Sequence, residues 1–262
     1  MARPPGDVTP PTPAQQERFF TVCQQVLADR KGGGGPTGGI GTLGERTLHA
    51  VLKCYLEPDE TLHEVKIGRR VADIARENEI VEIQTRSFGR LREKLDRFLR
   101  ERPVTVVYPI ARIKWIYWLN EEDGSLTEKR RSPKTGAPWD AFYELYQLRP
   151  MLGSAGLRFQ LLFLDMEEYR LLNGWSADRK RGCTRFERIP LSLRGELLLD
   201  SPGSWLSMVP PGLPEPYTSR DFAKVAVLSR PTAQKALSVL LQTGAVERVG
   251  KEKNSYLYRT RT

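Results

Sequence analysis

The chain has 262 residues, 39% hydrophobic and 28% charged, which allows one or two soluble domains with a sizeable core. Lys and Arg outnumber Asp and Glu 41 to 32, a net charge of +9 that favours a polyanionic partner such as nucleic acid. Cys23, Cys54 and Cys183 stand far apart without C-x-x-C pairing, which excludes a zinc ribbon and a disulfide framework and fits a reducing cytoplasm. No apolar run approaches the ~20 residues needed to cross a membrane, and the N-terminus is Pro-rich where a signal peptide would be apolar, so the expectation is a cytoplasmic protein without a membrane partner.

Residues 1–36 read as a tail, a helix and a glycine-rich linker. Five prolines among the first 13 residues predict disorder. Phe19, Phe20, Cys23, Val26 and Leu27 recur at helical spacing within a helix over 14–30 that packs on the main domain. The match Gly39-x-Gly41-x-x-Gly44 follows no strand, so linker glycines explain it better than a dinucleotide site. A second helix opens near Gly41, with Leu48, Val51, Leu52 and Tyr55 as its apolar stripe and Glu45 and His49 together on a neighbouring face. Residues 63–68 read as a strand, and Arg70 to Thr85 as a β-hairpin turning at 76–79. Side chains alternate along strands, so Asp73, Glu82 and Gln84 converge if the two strands present the same face. Neighbouring carboxylates repel unless a cation sits between them, and hard oxygen ligands suit Mg2+. Residues 86–101 follow as an amphipathic helix whose N-terminal half, with Arg86 or Lys94, lines the cleft, and 104–110 is a buried strand parallel to that of Glu82.

This order of helix Glu, strand, Asp, turn and Glu-x-Gln resembles the PD-(D/E)XK nuclease superfamily, particularly its Holliday-junction-resolvase-like and restriction-endonuclease-like branches, over residues 41–109. The resemblance implies an α/β fold for 37–201, a central mixed β-sheet flanked by helices, and a metal-dependent DNA endonuclease. Glu45 matches the helix Glu, Asp73 the metal-binding Asp, Glu82 the Glu of the third motif, and Gln84 the position usually held by Lys. In that scheme Asp73, Glu82 and the Ile83 carbonyl hold Mg2+ or Mn2+. Gln84 is a departure, because an amide carries no charge; catalysis then needs a migrated cation, with Lys66 and Lys94 as candidates. The alternative is a non-catalytic DNA-binding transcriptional regulator with a degenerate nuclease-like domain.

Farther on, 112–119 and 125–131 read as a second hairpin about 121–124. It leads into Arg130, Arg131 and Lys134, which can bind phosphate oxygens. Trp115, Tyr117 and Trp118 are expected to be core or sheet surface sooner than base-stacking platforms. Helix is expected over 139–148, a strand over 157–165, a helix over 165–172, a basic loop over 178–188 and an edge strand at 197–199. A Pro-rich linker, 202–216, beginning with a short helix, precedes a unit over 217–262. There Thr218-x-x-Asp221 caps one helix, Ser229 caps a second with Pro231 in its first turn, and a hairpin follows. The unit resembles a winged helix-turn-helix domain, which implies that Arg230, Thr232, Gln234 and Lys235 face a DNA groove while Lys251 and Lys253 ride on the wing. A homodimer is left open.

Overall fold

The computed structural model describes residues 8–31, 47–120, 124–175 and 181–261. Helix α1 (Pro13–Lys31) starts at a reciprocal cap: the Gln15 amide donates to Thr12 Oγ1 at 3.2 Å, and the Thr12 amide donates to Gln15 Oε1 at 2.8 Å. Helix α2 (Thr47–Leu56) buries Leu48, Val51, Leu52 and Tyr55, the stripe expected from their spacing. The chain continues through β1 (His63–Ile67), β2 (Arg70–Ala75), β3 (Ile80–Ile83), α3 (Arg92–Phe98), β4 (Val104–Leu119), β5 (Arg130–Arg131), α4 (Phe142–Gln147), β6 (Leu157–Trp175) and β7 (Arg181–Leu199).

These strands form one mixed sheet in the order β1-β2-β3-β4-β6-β7, with β5 added beside the far half of β4. The β3/β4 and β4/β6 pairs are parallel and the others antiparallel. Alternation along β3 divides the interior in two: Val81 and Ile83 join Phe19, Leu48, Val51 and Leu52 of the first two helices, while Ile80 joins Phe88, Leu95, Trp139 and Phe142. Each large side chain fully buried in this way contributes on the order of 1.5–3 kcal/mol. The α/β expectation therefore holds as a central mixed sheet flanked by helices.

Several local expectations do not. The helix over 86–101 is shorter: Ser87 is left-handed (φ +58), Phe88–Leu91 is a 3-10 turn, and α3 ends at Phe98. Residues 104–110 and 112–119 form one strand, because pairing with β6 resumes beyond a bulge at Arg112. Residues 165–172 are strand, not helix; Met166, Glu167, Glu168 and Leu171 are good helix formers, but pairing with β4 on one side and β7 on the other overrides that preference. Residues 181–188, expected as loop, belong to β7, which runs far beyond the expected edge strand at 197–199. Gly195 permits a close approach on this strand, since a Cβ there would lie 2.8 Å from the carbonyl oxygen of Thr9, which bridges Glu196.

The C-terminal unit comprises α5 (Ser219–Ala226), α6 (Arg230–Gln242), β8 (Val246–Glu252) and β9 (Ser255–Thr260). Thr218 and Ser229 cap the two helices as their sequence suggests. Its core is continuous with that of the main sheet: Phe142 meets Phe222 edge-on at 6.2 Å, and Trp205 and Met208 of the Pro-rich segment are buried in the same cluster. Among the described residues, no helix is long and apolar enough to cross a membrane.

Candidate functional site

Strands β2 and β3 pair through Ala75↔Ile80 and Ile74↔Val81. One step farther the ladder is replaced by side chains. The Asp73 amide donates to Glu82 Oε1 at 3.2 Å, and the Ile83 amide donates to Asp73 Oδ2 at 2.7 Å, so each carboxylate closes a gap in the opposing backbone. The N–H and C=O of a strand residue point to the same side, so the Ile83 carbonyl also opens toward Asp73. The alternation of β2 changes at this point. Ala72 and Ala75 lie in one core cluster and Ile74 in the other, and Glu64, across from Asp73 on β1, has a left-handed φ of +51. The local twist turns Asp73 from the sheet face into the fork between β2 and β3.

Each carboxylate also meets a cationic or protonatable side chain. Lys94 Nζ, reaching from α3, lies 2.5 Å from Glu82 Oε2, and His49 Nε2, from α2, lies 3.3 Å from Asp73 Oδ2. One turn along α2, the buried Lys53 pairs with Glu64 at 2.7 Å. Burial opposes ionisation of Asp73, but the hydrogen bond and charge of His49, the Ile83 amide and Lys94 outweigh it and hold this carboxyl below its ordinary value. At Glu82 burial and then the Asp73 charge raise the pKa to about 7, against the pull of Lys94 and the Asp73 amide. The two titrate as one unit.

The hairpin reading thus brings Asp73, Glu82 and Ile83 together. Of the two candidate cations, Lys94 reaches the site, whereas Lys66 is exposed on β1 opposite Val71. The Gln84 side-chain amide donates to the Arg86 carbonyl and does not point into the fork. Glu45 lies outside the described residues. His49 was noticeable in the sequence only as a neighbour of Glu45, and its contact with Asp73 gives it a place in the site. Two carboxylates and a carbonyl are donors that a hard divalent cation accepts, and Mg2+ fills its remaining positions with water. Among the described residues no three His, Cys, Asp or Glu side chains gather as a metal-holding group, so any ion here would rely on those waters.

The basic residues divide. Arg130 and Arg131 are exposed on β5 beside Ile116 and Trp115, but Lys134 pairs with Asp140 at 2.8 Å. On α6, Arg230 and Gln234 are exposed, while the Thr232 hydroxyl is joined to Ser229 Oγ at 2.8 Å in the helix cap. Lys235 is turned inward: its ammonium lies 4.2 Å from the Tyr143 ring centre and 5.6 Å from that of Tyr146. Lys251 and Lys253 stand exposed near the β8–β9 tip, where Lys251 and Arg248 both lie over the Tyr256 ring.

Fold and fork together define a mixed α/β protein with a two-carboxylate site, Glu82 buried and Asp73 half-buried, at a strand divergence. Residues 46–200 match the family described as Domain of unknown function (DUF8091), and the chain belongs to that family. It is similar to an uncharacterized protein of Treponema pallidum (strain Nichols), with 30% identity over 227 residues, covering 84% of this chain and 87% of the relative. No solved structure matches it.

Proposed function

We propose that this protein is a metal-dependent endonuclease that hydrolyses phosphodiester bonds in DNA, built on a PD-(D/E)XK-like core and delivered by a C-terminal winged helix-turn-helix unit. The observation that carries the reading is the interlocked pair Asp73 and Glu82 with Lys94 bound to it. The order α2, β1 to β3, α3, β4 supports it, being the order the resemblance implies. Asp73, Glu82 and the Ile83 carbonyl would hold Mg2+ or Mn2+, and a bound ion would supply Lewis acidity and an activated water. Lys94 takes the part that Gln84 cannot, a positive charge beside the scissile phosphate. His49 orients Asp73 and keeps it ionised. Glu45 keeps the metal- or water-orienting role that the resemblance gives it. Arg230, Gln234, Lys251 and Lys253 provide exposed groups for a duplex.

The second reading, a DNA-binding regulator without catalysis, is favoured by one observation: both carboxylates already have a protein partner and Gln84 is tied to its own loop. Incubation with duplex, branched and single-stranded DNA, in Mg2+ or Mn2+, separates the two. A nuclease cuts at least one form, and Asp73→Ala or Glu82→Ala abolishes cutting without loss of DNA affinity. Binding without cutting on every form, with both metals, decides for the regulator.

A further inference from the structure

We propose that one face of the far half of the β4/β6/β7 sheet, the face of Trp118 and Arg170, is a platform for an unpaired nucleic-acid strand leading away from the fork. Strand β3 ends at Ile83, opposite Val107, yet β4 and β6 stay paired from there to Leu119 and Leu171. At ~3.3 Å per residue the extension is about 40 Å long, room for on the order of ten nucleotides at helical spacing. It begins beside the carboxylate site and points the way β3 points.

Its surface is unlike a core or an ordinary solvated sheet. Residues 111–120 are all half-buried, aromatic rings included. On one side Lys114, Arg170 and Arg185 converge on Glu168, which leaves two positive charges without a carboxylate in that group, and Arg170 lies over Trp118 at 5.5 Å. The opposite face differs: there Tyr117 and Tyr169 stack on each other at 4.9 Å, and Lys129, 4.9 Å from the centre of Trp115, is already paired with Glu167 at 2.7 Å. Trp118 and the surplus charge of the Glu168 group give a strand on this face a ring to stack on and cations for its phosphates, whatever the sequence. A duplex hides its base faces and would use only the charges. This surface therefore selects strands whose bases are open, and it gives the nuclease reading a substrate class: DNA with an unpaired segment at the cut. The link to cutting rests on that reading, whereas the binding surface does not.

The test is fluorescence anisotropy on the full-length protein in EDTA, so that no cleavage occurs, with oligothymidylate, oligouridylate and a blunt duplex of equal length as probes. Trp118→Ala is expected to weaken single-strand binding about five- to a hundredfold, the worth of one stacked base, with duplex affinity changed less than about twofold and Trp118→Phe restoring most of the loss. The deoxy and ribo probes tell DNA from RNA. Equal losses on strand and duplex, no loss on either, or a dimer that becomes monomeric on sedimentation of Trp118→Ala would each overturn the proposal. If Trp118→Ala does not fold, Trp118→Leu, which keeps an apolar side chain at this half-buried position and removes the π face, takes its place with the same expectation. Photocrosslinking of bromodeoxyuridine strands to the unaltered protein should then label β4 or β6, and labelling confined to 217–262 overturns it too. Failure of this binding leaves the Asp73→Ala cleavage result untouched, so the two proposals fail separately.

Discussion

Glu82 and Glu168 are the same residue, each only 2% exposed, and their acidities move in opposite directions. Burial resists ionisation at both. At Glu82 burial and the Asp73 charge prevail over Lys94, and the carboxyl holds its proton to about pH 7. At Glu168 burial is outweighed by Lys114, Arg185 and Arg170, which keep it ionised below its ordinary range. Burial sets how much is at stake and the neighbours set the sign. The two sites differ in balance: at the fork Lys94 and His49 face two carboxylates, whereas three cations face Glu168 alone.

The largest effect expected from this contrast is at Glu168. Glu168→Ala leaves Lys114 and Arg170, each about four-fifths covered, facing Arg185 without a carboxylate. Breaking a buried ion group from one side costs roughly 3–5 kcal/mol. A carboxyl with a depressed pKa stabilises the fold above its unfolded pKa and loses that effect as pH falls through the folded value, so the penalty should be full at pH 7 and shrink in acid. Urea unfolding at pH 7 and pH 4 measures both. A cost below about 1 kcal/mol at neutral pH would mean that water screens the cluster, and the contrast would collapse.

Glu82 should behave in the opposite sense and somewhat more weakly. Between its ordinary value near 4.5 and about 7 the unfolded chain is ionised while the folded chain keeps the proton, so stability declines as pH rises through that window. A rise of this size is worth on the order of 3 kcal/mol. Glu82→Gln should flatten the decline, leaving the variant no less stable than the parent at pH 8. A ligating Glu82 must also release its proton, so Mg2+ should bind more weakly below pH 7 and expel protons as it binds. Calorimetry at pH 6 in two buffers of different ionisation enthalpy reads this directly. Heats that do not depend on the buffer would show that Glu82 is ionised beforehand or takes no part.

The fork was legible and the extension was not, for the same physical reason. Asp73 and Glu82 lie within one hairpin, where β-branched spacing and a short polar turn fix the register locally, so their position across from each other follows from the register, although the alternation of β2 breaks at Asp73. Lys94 was legible only as one of two cations, since α3 has to dock before its reach is known. The twist at Glu64 that turns Asp73 into the fork leaves no trace in composition. Residues 166–172 have helix-forming side chains and become strand only through partners in β4 and β7, pairings that no local pattern announces. Asp73 could therefore be read from its neighbours in sequence, and Glu168 could not.

The smallest effect concerns a cation whose partner is an aromatic ring. The winged helix-turn-helix resemblance would turn Lys235 toward DNA, but it lies over Tyr143 of α4, and Arg149 donates to Ser238 Oγ at 3.0 Å one turn farther along α6. This side of α6 is bound to the main body, so Lys235 serves cohesion. Lys235→Ala should lower stability by about 0.5–1 kcal/mol, the worth of a half-exposed cation–π pair, and leave duplex affinity nearly unchanged. Lys251→Ala, near the tip of the β8–β9 hairpin, should do the reverse: its ammonium is 5.8 Å from the Tyr256 ring centre and exposed, so the stability loss is smaller than at Lys235, while affinity falls alike for all sequences and the salt slope drops by about one. Thermal unfolding and salt-titrated anisotropy on the same two variants give both readings. Equal drops in salt slope for the two lysines would mean that α6 leaves α4 to meet DNA, and Lys235 would then belong with the exposed cations of the hairpin and not with the buried ones.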